Sequence, residues 1–334
     1  MANYAHRGGF AVRLPVSYIF YIFLSFIGLL AIFFDSDEIY PLRGTPKKNP
    51  ASRSVFTEAY ISTYKSGENK LNLFSKTLID RPDINKLFLK FPKGEIGNSP
   101  KSTFSGARGI IDRRINKIFV TEKVKITRRG IKSTSHRLEV DYGINHALAS
   151  GDVKSFFNED QKNVKVFSDE LAFQEPNHII EYSGNVSGRI NSKDNKKFND
   201  IKFKSNLLIY DDYTKMMTLE GNAFIERAKS KMKSINAKIN IDNISSGVKY
   251  FSMNDDVQID DVFINSYGET IKRKSICEKL EGFSDEEKLV LSGFPQVEQE
   301  GDIIKGNEMI IREDKEMIEV INTNSHFNFN GSSD

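Results

Sequence analysis

The sequence of 334 residues contains one cysteine, no tryptophan and only five histidines. An internal disulfide is therefore excluded, and Cys277 has no second cysteine and no histidine at ligand spacing with which to form a zinc site. His136, His146, His178 and His326 also lack metal spacing or a plausible serine or cysteine partner. We expect no cofactor, no bound metal and no catalytic residues.

Long amphipathic helical patterns are absent, and the net charge is small. The chain is 39% hydrophobic and 28% charged, with a formal net charge of +3. This composition is typical of a globular protein and excludes a wholly disordered chain. The length suggests roughly two domains, although all-β folds often exceed about 200 residues as one unit.

One apolar run is long enough to cross a membrane. Residues 14–34 carry no charged side chain, and a helix of this length extends about 31 Å. Arg7 and Arg13 precede the run and three acidic residues follow it, so the positive-inside rule places residues 1–13 in the cytoplasm and exports the rest. A cleaved signal peptide is the alternative, but the run is longer than a signal peptide needs and ends without a small-x-small site. We predict a single transmembrane helix, followed by a proline-containing linker at 35–52.

The charge of the exported part is balanced but uneven. Without residues 1–34 it holds 46 basic and 45 acidic side chains. Residues 101–139 hold eleven Lys or Arg against three acids, whereas residues 255–334 hold 19 acids against eight bases. The simplest explanation of the basic segment is a solvated strand face. A nucleic-acid partner is disfavoured, because the compartment is wrong and no stacking aromatic motif accompanies the bases.

Beyond residue 52, short runs alternate apolar and polar side chains, which is typical of strands with one buried face. One five-residue step recurs six times, with apolar or small residues at its ends and a glycine or an acid at its centre. The centres are 29 to 38 residues apart. Such a period indicates repeated units that bury their apolar faces by stacking. The steps are Val120–Val124, Ala149–Val153, Tyr182–Val186, Leu219–Ala223, Met253–Val257 and Leu291–Pro295.

A second strand with a polar start follows most steps, so each unit is two strands. A degenerate earlier unit is predicted at Leu87–Phe91, with Phe104–Ile110 as its partner strand. Within a step, Leu219 and Ala223 face one way while Glu220 faces the other. Two sheets built from first and second strands would bury the apolar faces against each other, as a sandwich or a half-open fold.

These steps resemble the OstA-like β-jellyroll of the lipopolysaccharide transport proteins LptC and LptA, whose strands carry a leucine-x-Gly-Asn-Val pattern like Leu219–Ala223. The anchor, the linker and the strands as far as Val140 look like LptC, whereas Ile179 to Val320 is more similar to LptA. We predict an all-β fold, an OstA-like two-sheet β-jellyroll of repeated strand pairs, tandem or extended, behind one N-terminal transmembrane helix. Its parts are an LptC-like jellyroll at 53–178, an LptA/OstA-like jellyroll at 179–321 and a flexible tail at 322–334.

The resemblance implies a periplasmic bridge along which lipopolysaccharide moves from an inner-membrane ABC transporter toward the outer membrane, with its acyl chains between two sheets. The implied partners are lipopolysaccharide, that transporter and another OstA-like jellyroll, docked at a free strand edge for which Asn307 to Val320 is the candidate. Candidates for headgroup contact are Arg113, Arg114, Arg128 and Arg129. The residues predicted to line the groove are Val120, Val124, Ile126, Leu138, Val140, Val153, Leu171, Phe173, Val186, Leu219, Ala223, Ile225, Val257 and Ile259.

Two other interpretations remain open. A dry, filled core would pack the same inward residues against each other, and the protein would be an envelope scaffold that binds no lipid. The second interpretation rests on carboxylate pairs, which can bind calcium or perform glycosidase chemistry. It is a membrane-anchored β-solenoid enzyme acting on surface polysaccharide. The pairs are Asp211–Asp212, Asp255–Asp256 and Asp260–Asp261. We predict each pair at a strand end or turn, where Asp is common because it forms local hydrogen bonds.

Overall fold

A computed structural model describes residues 53–65, 68–97, 101–157, 163–191, 200–241, 248–264, 267–312 and 318–321. They all belong to the unit formed by residues 51–334. The predicted cytoplasmic tail, transmembrane helix, linker and C-terminal tail lie outside the described residues. Within the described ranges, no helix has the length and hydropathy needed to span a membrane.

Regular structure in the described ranges is β-strand, apart from one 3-10 turn at Pro82–Ile84. The strands form one continuous antiparallel sheet, which confirms the predicted all-β class. Their bounds are β1 Ser54–Lys65, β2 Glu68–Arg81, β3 Lys86–Lys90, β4 Lys93–Ile96, β5 Ser102–Ser105, β6 Arg108–Asp112, β7 Lys117–Arg128, β8 Ile131–Asp141, β9 His146–Phe157, β10 Asn163–Gln174, β11 Ile179–Asn191, β12 Ile201–Asp211, β13 Met216–Arg227, β14 Ser230–Ile241, β15 Val248–Ile264, β16 Thr270–Phe283, β17 Lys288–Ser292, β18 Gln296–Gln299, β19 Asp302–Lys305, β20 Glu308–Arg312 and β21 Ile318–Ile321.

The sheet is a meander in which each long strand pairs with its neighbours in sequence, from β7 through β16. Toward both ends the long strands are interrupted, so that β3 continues as β4 and β17 continues as β18. The predicted early unit is confirmed in part. The strand predicted at Leu87–Phe91 is β3, and it pairs with β6. The predicted partner strand Phe104–Ile110 is divided between β5, which pairs with β4, and β6. The predicted boundary between residues 178 and 179 lies in the turn from β10 to β11, and these strands pair like other neighbours.

A bend lies at each predicted step, inside a strand for the first five steps and between β17 and β18 for the sixth. In all six steps the central residue and the next one have positive φ, for example 62° and 55° at Glu122 and Lys123, and 71° and 54° at Gly221 and Asn222. Two left-handed residues in succession interrupt the ladder, and the pairing register shifts there. Four of the six centres are glycine, which adopts this conformation without strain. The repeat seen in the sequence is therefore the bend.

The bends divide the sheet into two layers that face each other. In β7, layer A contains residues 117–121 and layer B contains residues 124–128, and every neighbouring strand is divided at the same level. The ring of Phe157, at the outer end of layer B, lies 4.8 Å from the ring of Tyr210, at the outer end of layer A. We call the line of bends the corner, and the opposite margin, where hairpin turns of the two layers meet, the seam.

This arrangement corrects the expected division, in which first and second strands formed separate sheets. First and second strands pair with each other, as β7 does with β8, and each contributes one half to each layer. The reason is local. The two left-handed residues turn the chain through the corner, so that alternate side chains on both halves face one interior.

Several strands that carry no step, β2, β8, β10 and β14, pass the corner with a buried serine. Ser168 donates a hydrogen bond from Oγ to the carbonyl oxygen of Glu170 at 2.8 Å, next to the interrupted pairing. A small side chain fits the inside of the bend, and its hydroxyl satisfies a carbonyl there. The same bond to the carbonyl two residues on recurs at Ser75, Ser135 and Ser234.

Candidate functional site

The interior between the layers contains all fourteen residues predicted to line a groove. Each is at most 4% exposed, and all belong to one apolar cluster. The cluster extends from Leu71 in β2 to Ile311 in β20. The structure therefore brings these side chains together on one continuous apolar face, as the alternation predicts.

The layers are closed around these side chains. Val120, Val140, Leu219 and Ile225 have 0% exposure. Each long strand joins the layers covalently at the corner, so the layers can separate only at the seam. A lipid chain reaches this interior only if the seam opens, and the groove-lining role stays a prediction.

A charged cluster ties the layers together at the seam. Arg128, at the layer B end of β7, donates from Nε to Oε1 of Glu175 at 3.0 Å and from its guanidinium to the carbonyl of Asn177. Ser102 of β5 donates to the same carboxylate oxygen at 2.6 Å. The Arg128 and Glu175 side chains are only 2% and 3% exposed. The turn after β10, in layer A, is thus bonded to two strands of layer B.

Arg129 makes the next link along the seam. Its Nη1 lies 3.4 Å from Oδ2 of Asp212, in the turn after β12, and also contacts His178. Its Nη2 donates to the carbonyl of Pro176 at 3.2 Å. We call Arg128, Arg129, Glu175 and Asp212 the seam cluster.

Burial dominates the electrostatics of Arg128. Desolvation lowers the pKa of the Arg128 guanidinium from its ordinary value, and the nearby Glu175 carboxylate opposes that shift by favouring the charged form. The guanidinium also lies over the ring of Phe173, 5.0 Å from its centroid. Because water does not solvate either charge, each is stabilised by the other, and loss of one leaves the second uncompensated.

The four arginines predicted to contact headgroups do not form one group. Arg113 and Arg114 are exposed in the turn before β7, where Arg114 bonds to Asp112 at 3.2 Å. That bond holds the pKa of the Asp112 carboxyl below its usual range. Arg128 and Arg129 lie at the other end of β7, engaged in the seam cluster. In the closed protein only the first pair is open to an anionic group.

Two of the three carboxylate pairs lie at a turn or bend. Asp211 ends β12 and accepts a hydrogen bond from the backbone N–H of Tyr213 at 2.8 Å, whereas Asp212 belongs to the seam cluster. Asp255 and Asp256 form the bend of β15. Each pair thus has a conformational role in the chain.

Two pairs correct the prediction of a strand end or turn, because Asp255 and Asp256 lie at the bend inside β15 and the third pair also lies within that strand. Asp260 and Asp261 lie inside β15, because this strand continues to Ile264. Asp261 accepts hydrogen bonds from Ser230 and Arg273 on the two flanking strands. Throughout the part of the chain that the structure describes, no group of three or more His, Cys, Asp or Glu is placed to hold a metal ion.

Sequence reasoning missed Glu175 and Ser102 and did not assign Asp212 to an ion pair. Glu175 is 47 residues from Arg128, and Asp212 is 83 residues from Arg129. No local pattern connects positions so far apart. The only available signal was the adjacent pair Arg128 and Arg129 before a glycine turn, which a charge count assigns to the basic face.

Comparisons with known proteins found similarity among solved structures. No protein-family model matches the sequence, and no curated protein matches it. Among solved structures, the chain is similar to the crystal structure of LptH from Pseudomonas aeruginosa, the LptA-homologous periplasmic component of the conserved lipopolysaccharide transport device. The two are 12% identical, the match covers 40% of this chain and 88% of LptH, and the TM-score is 0.33. At this TM-score, function has to be argued from the chain's own residues.

Proposed function

We propose that the chain is a component of lipopolysaccharide transport, anchored in the inner membrane and exposed to the periplasm. It would bind acyl chains between layers A and B and pass the lipid from an ABC transporter toward the outer membrane. The observation that supports this most is the single apolar cluster that continues from β2 to β20 inside one folded sheet. A continuous apolar path with a polar margin suits a molecule with several acyl chains and an anionic headgroup.

The ends of the sheet support assembly with another jellyroll. In the described residues, β1 pairs only with β2, and β21 pairs only with β20. Phe56 of β1 is the cross-strand partner of buried Leu78 and therefore faces the interior, yet it is 51% exposed. The apolar interior thus reaches solvent at the β1 edge. A strand added there would extend both the sheet and the interior.

Opening of the seam is the step that this proposal requires. Separation of the layers breaks the contacts of Arg128 with Glu175 and of Arg129 with Asp212, and it frees two arginines beside the opened interior. These would then be available to phosphate groups of a bound lipid. The cluster would act as a latch that favours the closed state when no lipid is present.

An envelope scaffold with a filled core is the second candidate. The near-zero exposure of the fourteen interior residues favours it. The two proposals differ in one property, which is whether lipid contacts the inward side chains in the cell.

Photo-crosslinking in cells that make lipopolysaccharide tests this difference. A crosslinking amino acid at Val153 or Leu219 faces the interior, while one at Glu220, adjacent in sequence, faces solvent. Phe56 provides an inward position that is already half exposed and so tolerates the probe without repacking. We expect lipopolysaccharide adducts at the inward positions, at least several-fold above Glu220. Equal labelling at inward and outward positions, or no adduct at Phe56, would overturn the lipid proposal and favour the scaffold.

A further inference from the structure

An apolar row crosses the outer face of layer A, on the side opposite the interior. Its members are direct cross-strand partners: Val55 pairs with Ile79, Ile79 with Phe88, Phe88 with Ile110, and Ile110 with Phe119. They lie on β1, β2, β3, β6 and β7. Five strands about 4.8 Å apart make the row about 19 Å long. We call these five residues the outer row.

The outer row is open to solvent. Val55 is 56% exposed, and the other four members are half-buried. Those four, with Phe91, line a surface cleft of about 710 Å³. Phe91 is itself 54% exposed. Contiguous apolar surface of this kind marks contact with a protein or a membrane.

The same line of cross-strand partners is no longer continuously apolar after β7. It continues from Phe119 to Glu139, Leu148, Ala172 and Glu181. Two of these four are acidic and one is alanine. The unbroken run of large apolar side chains along this line therefore ends at Phe119, although single apolar residues such as Leu148 and Ile209 follow farther along it.

Basic side chains flank the outer row on both sides. Arg81, Lys86 and Lys117 occupy the neighbouring positions toward the seam, and Lys90 and Arg108 occupy those toward the corner. Acids at positions 83, 112, 122 and 139 pair with four of these bases. The five bases outnumber these four acids by one, so the border of the row carries a small excess of positive charge.

The position of the outer row in the chain favours a lipid bilayer as the surface that the row contacts. β1, which carries the first member, begins at Ser54, and 19 residues separate it from the end of the predicted transmembrane helix at residue 34. A tether of this length spans at most about 65 Å, so the outer row is held within reach of the membrane surface. Apolar side chains bordered by Lys and Arg are typical of surfaces that bind the interface of anionic bilayers.

We propose that the outer row is a docking face for the anionic surface of the membrane that holds the anchor. Phe88, Ile110 and Phe119 enter the headgroup region, and the flanking bases contact lipid phosphates. The inference rests on the anchoring part of the proposed function. Docking would place the outer face of layer A, in the N-terminal strands, on the bilayer. It would thereby fix the distance from the membrane to the N-terminal end of the apolar interior.

Site-specific fluorescence on the full chain tests the docking face. The native Cys277 is buried, and burial raises the pKa of its thiol to about 12, so it does not compete for label. An environment-sensitive dye is attached to a cysteine introduced by Phe88→Cys or Ile110→Cys. Thr218→Cys is the control, because Thr218 lies farther along the same line of cross-strand partners and is also half-buried. The labelled chains are reconstituted into vesicles of phosphatidylcholine, with or without phosphatidylglycerol, and spin-labelled lipid is added as quencher.

We expect quenching at positions 88 and 110 to exceed that at 218 several-fold on vesicles with phosphatidylglycerol, and to fall with added salt. Arg108→Glu should reduce it, whereas Lys202→Glu, another exposed base in an ion pair, should not. Equal quenching at 88 and 218 in chains that float with the vesicles would overturn the docking face and leave the proposed function intact. Failure to float would overturn both. A shifted spectrum at 88 without vesicles, together with a doubled mass, would identify a second copy as the occupant and also overturn the proposal.

Discussion

The two margins of the folded sheet, the corner and the seam, are built in different ways. At the corner, each strand bends through neighbouring residues of its own sequence, a left-handed pair such as Gly221 and Asn222 or a buried serine such as Ser168. At the seam, Arg128 and Glu175 meet from strands that are far apart in the chain. The corner is covalent and repeated, whereas the seam cluster is noncovalent and occurs at one place in the described residues.

This difference indicates where the protein can change its conformation. Opening at the corner would require many left-handed residues to change together, each in its own strand. Opening at the seam requires the separation of a few side chains, but it must expose charges that are paired in a dry environment. The seam is therefore the margin that can open and whose stability a few substitutions should alter.

The largest expected effect is at the seam. Glu175→Gln should lower the free energy of unfolding by about 3–5 kcal/mol, because it leaves the Arg128 charge buried without a counter-charge. Denaturant unfolding measures the loss. The exposed pair Lys202 and Glu226 provides the control, since Glu226→Gln should cost at most about 1 kcal/mol.

A double substitution sharpens the same comparison. Arg128→Met with Glu175→Leu removes both charges and should recover most of the stability lost in Glu175→Gln. If the double variant is as unstable as the single one, the seam depends on shape and not on charge.

The next effect is at the corner and uses two glycines with similar backbone conformation. Gly221→Ala should cost about 2 kcal/mol, because φ is +71° and the new Cβ would lie 2.8 Å from the side-chain nitrogen of Asn206. Gly268→Ala has φ +85° with nothing within 4 Å of the new Cβ, so it should cost only the backbone part, about 1 kcal/mol. Thermal unfolding of both variants measures the difference. Equal losses would show that close packing at the corner is unimportant.

Ser168→Ala should have a smaller effect, about 1 kcal/mol, because the carbonyl of Glu170 loses its hydroxyl donor. Ser187→Ala, on the outer face of the neighbouring β11, is the matched control and should be neutral. Denaturation midpoints compare the two. A loss at Ser187 as large as that at Ser168 would contradict a special role for the serine at the bend.

The smallest effect concerns Cys277, which lies on β16 beside the corner. Burial raises the pKa of its thiol from 9.0 to about 12, so the folded chain keeps a proton that the unfolded chain loses. The contribution of this group to stability is complete below pH 9 and is lost as the pH rises toward about 12. We expect no reaction with a thiol reagent at pH 8 until the chain is unfolded, and a weaker alkaline loss of stability in Cys277→Ala. Rapid labelling of the native protein would mean that the corner opens.

Much of the fold could be predicted because the relevant forces are local. The alternation around Leu219 predicts a strand with one buried face, and the recurring glycine or acid steps mark the six bends. The same alternation predicts which side chains face the interior. It cannot predict that Asp260 and Asp261 stay within a strand, since the length of β15 depends on pairing with β16.

The sequence alone determined the β-strands, their period, the inward face and the positions of the bends, because alternation and left-handed backbone conformations are properties of neighbouring residues. Tertiary structure decided that each strand contributes to both layers, that Arg128 is paired with Glu175, and that Val55, Ile79, Phe88, Ile110 and Phe119 align in one row. Those outcomes depend on strand register and on contacts between segments that are far apart in the chain. No local pattern specifies the partner in such a contact, and burial sets the strength of each ion pair.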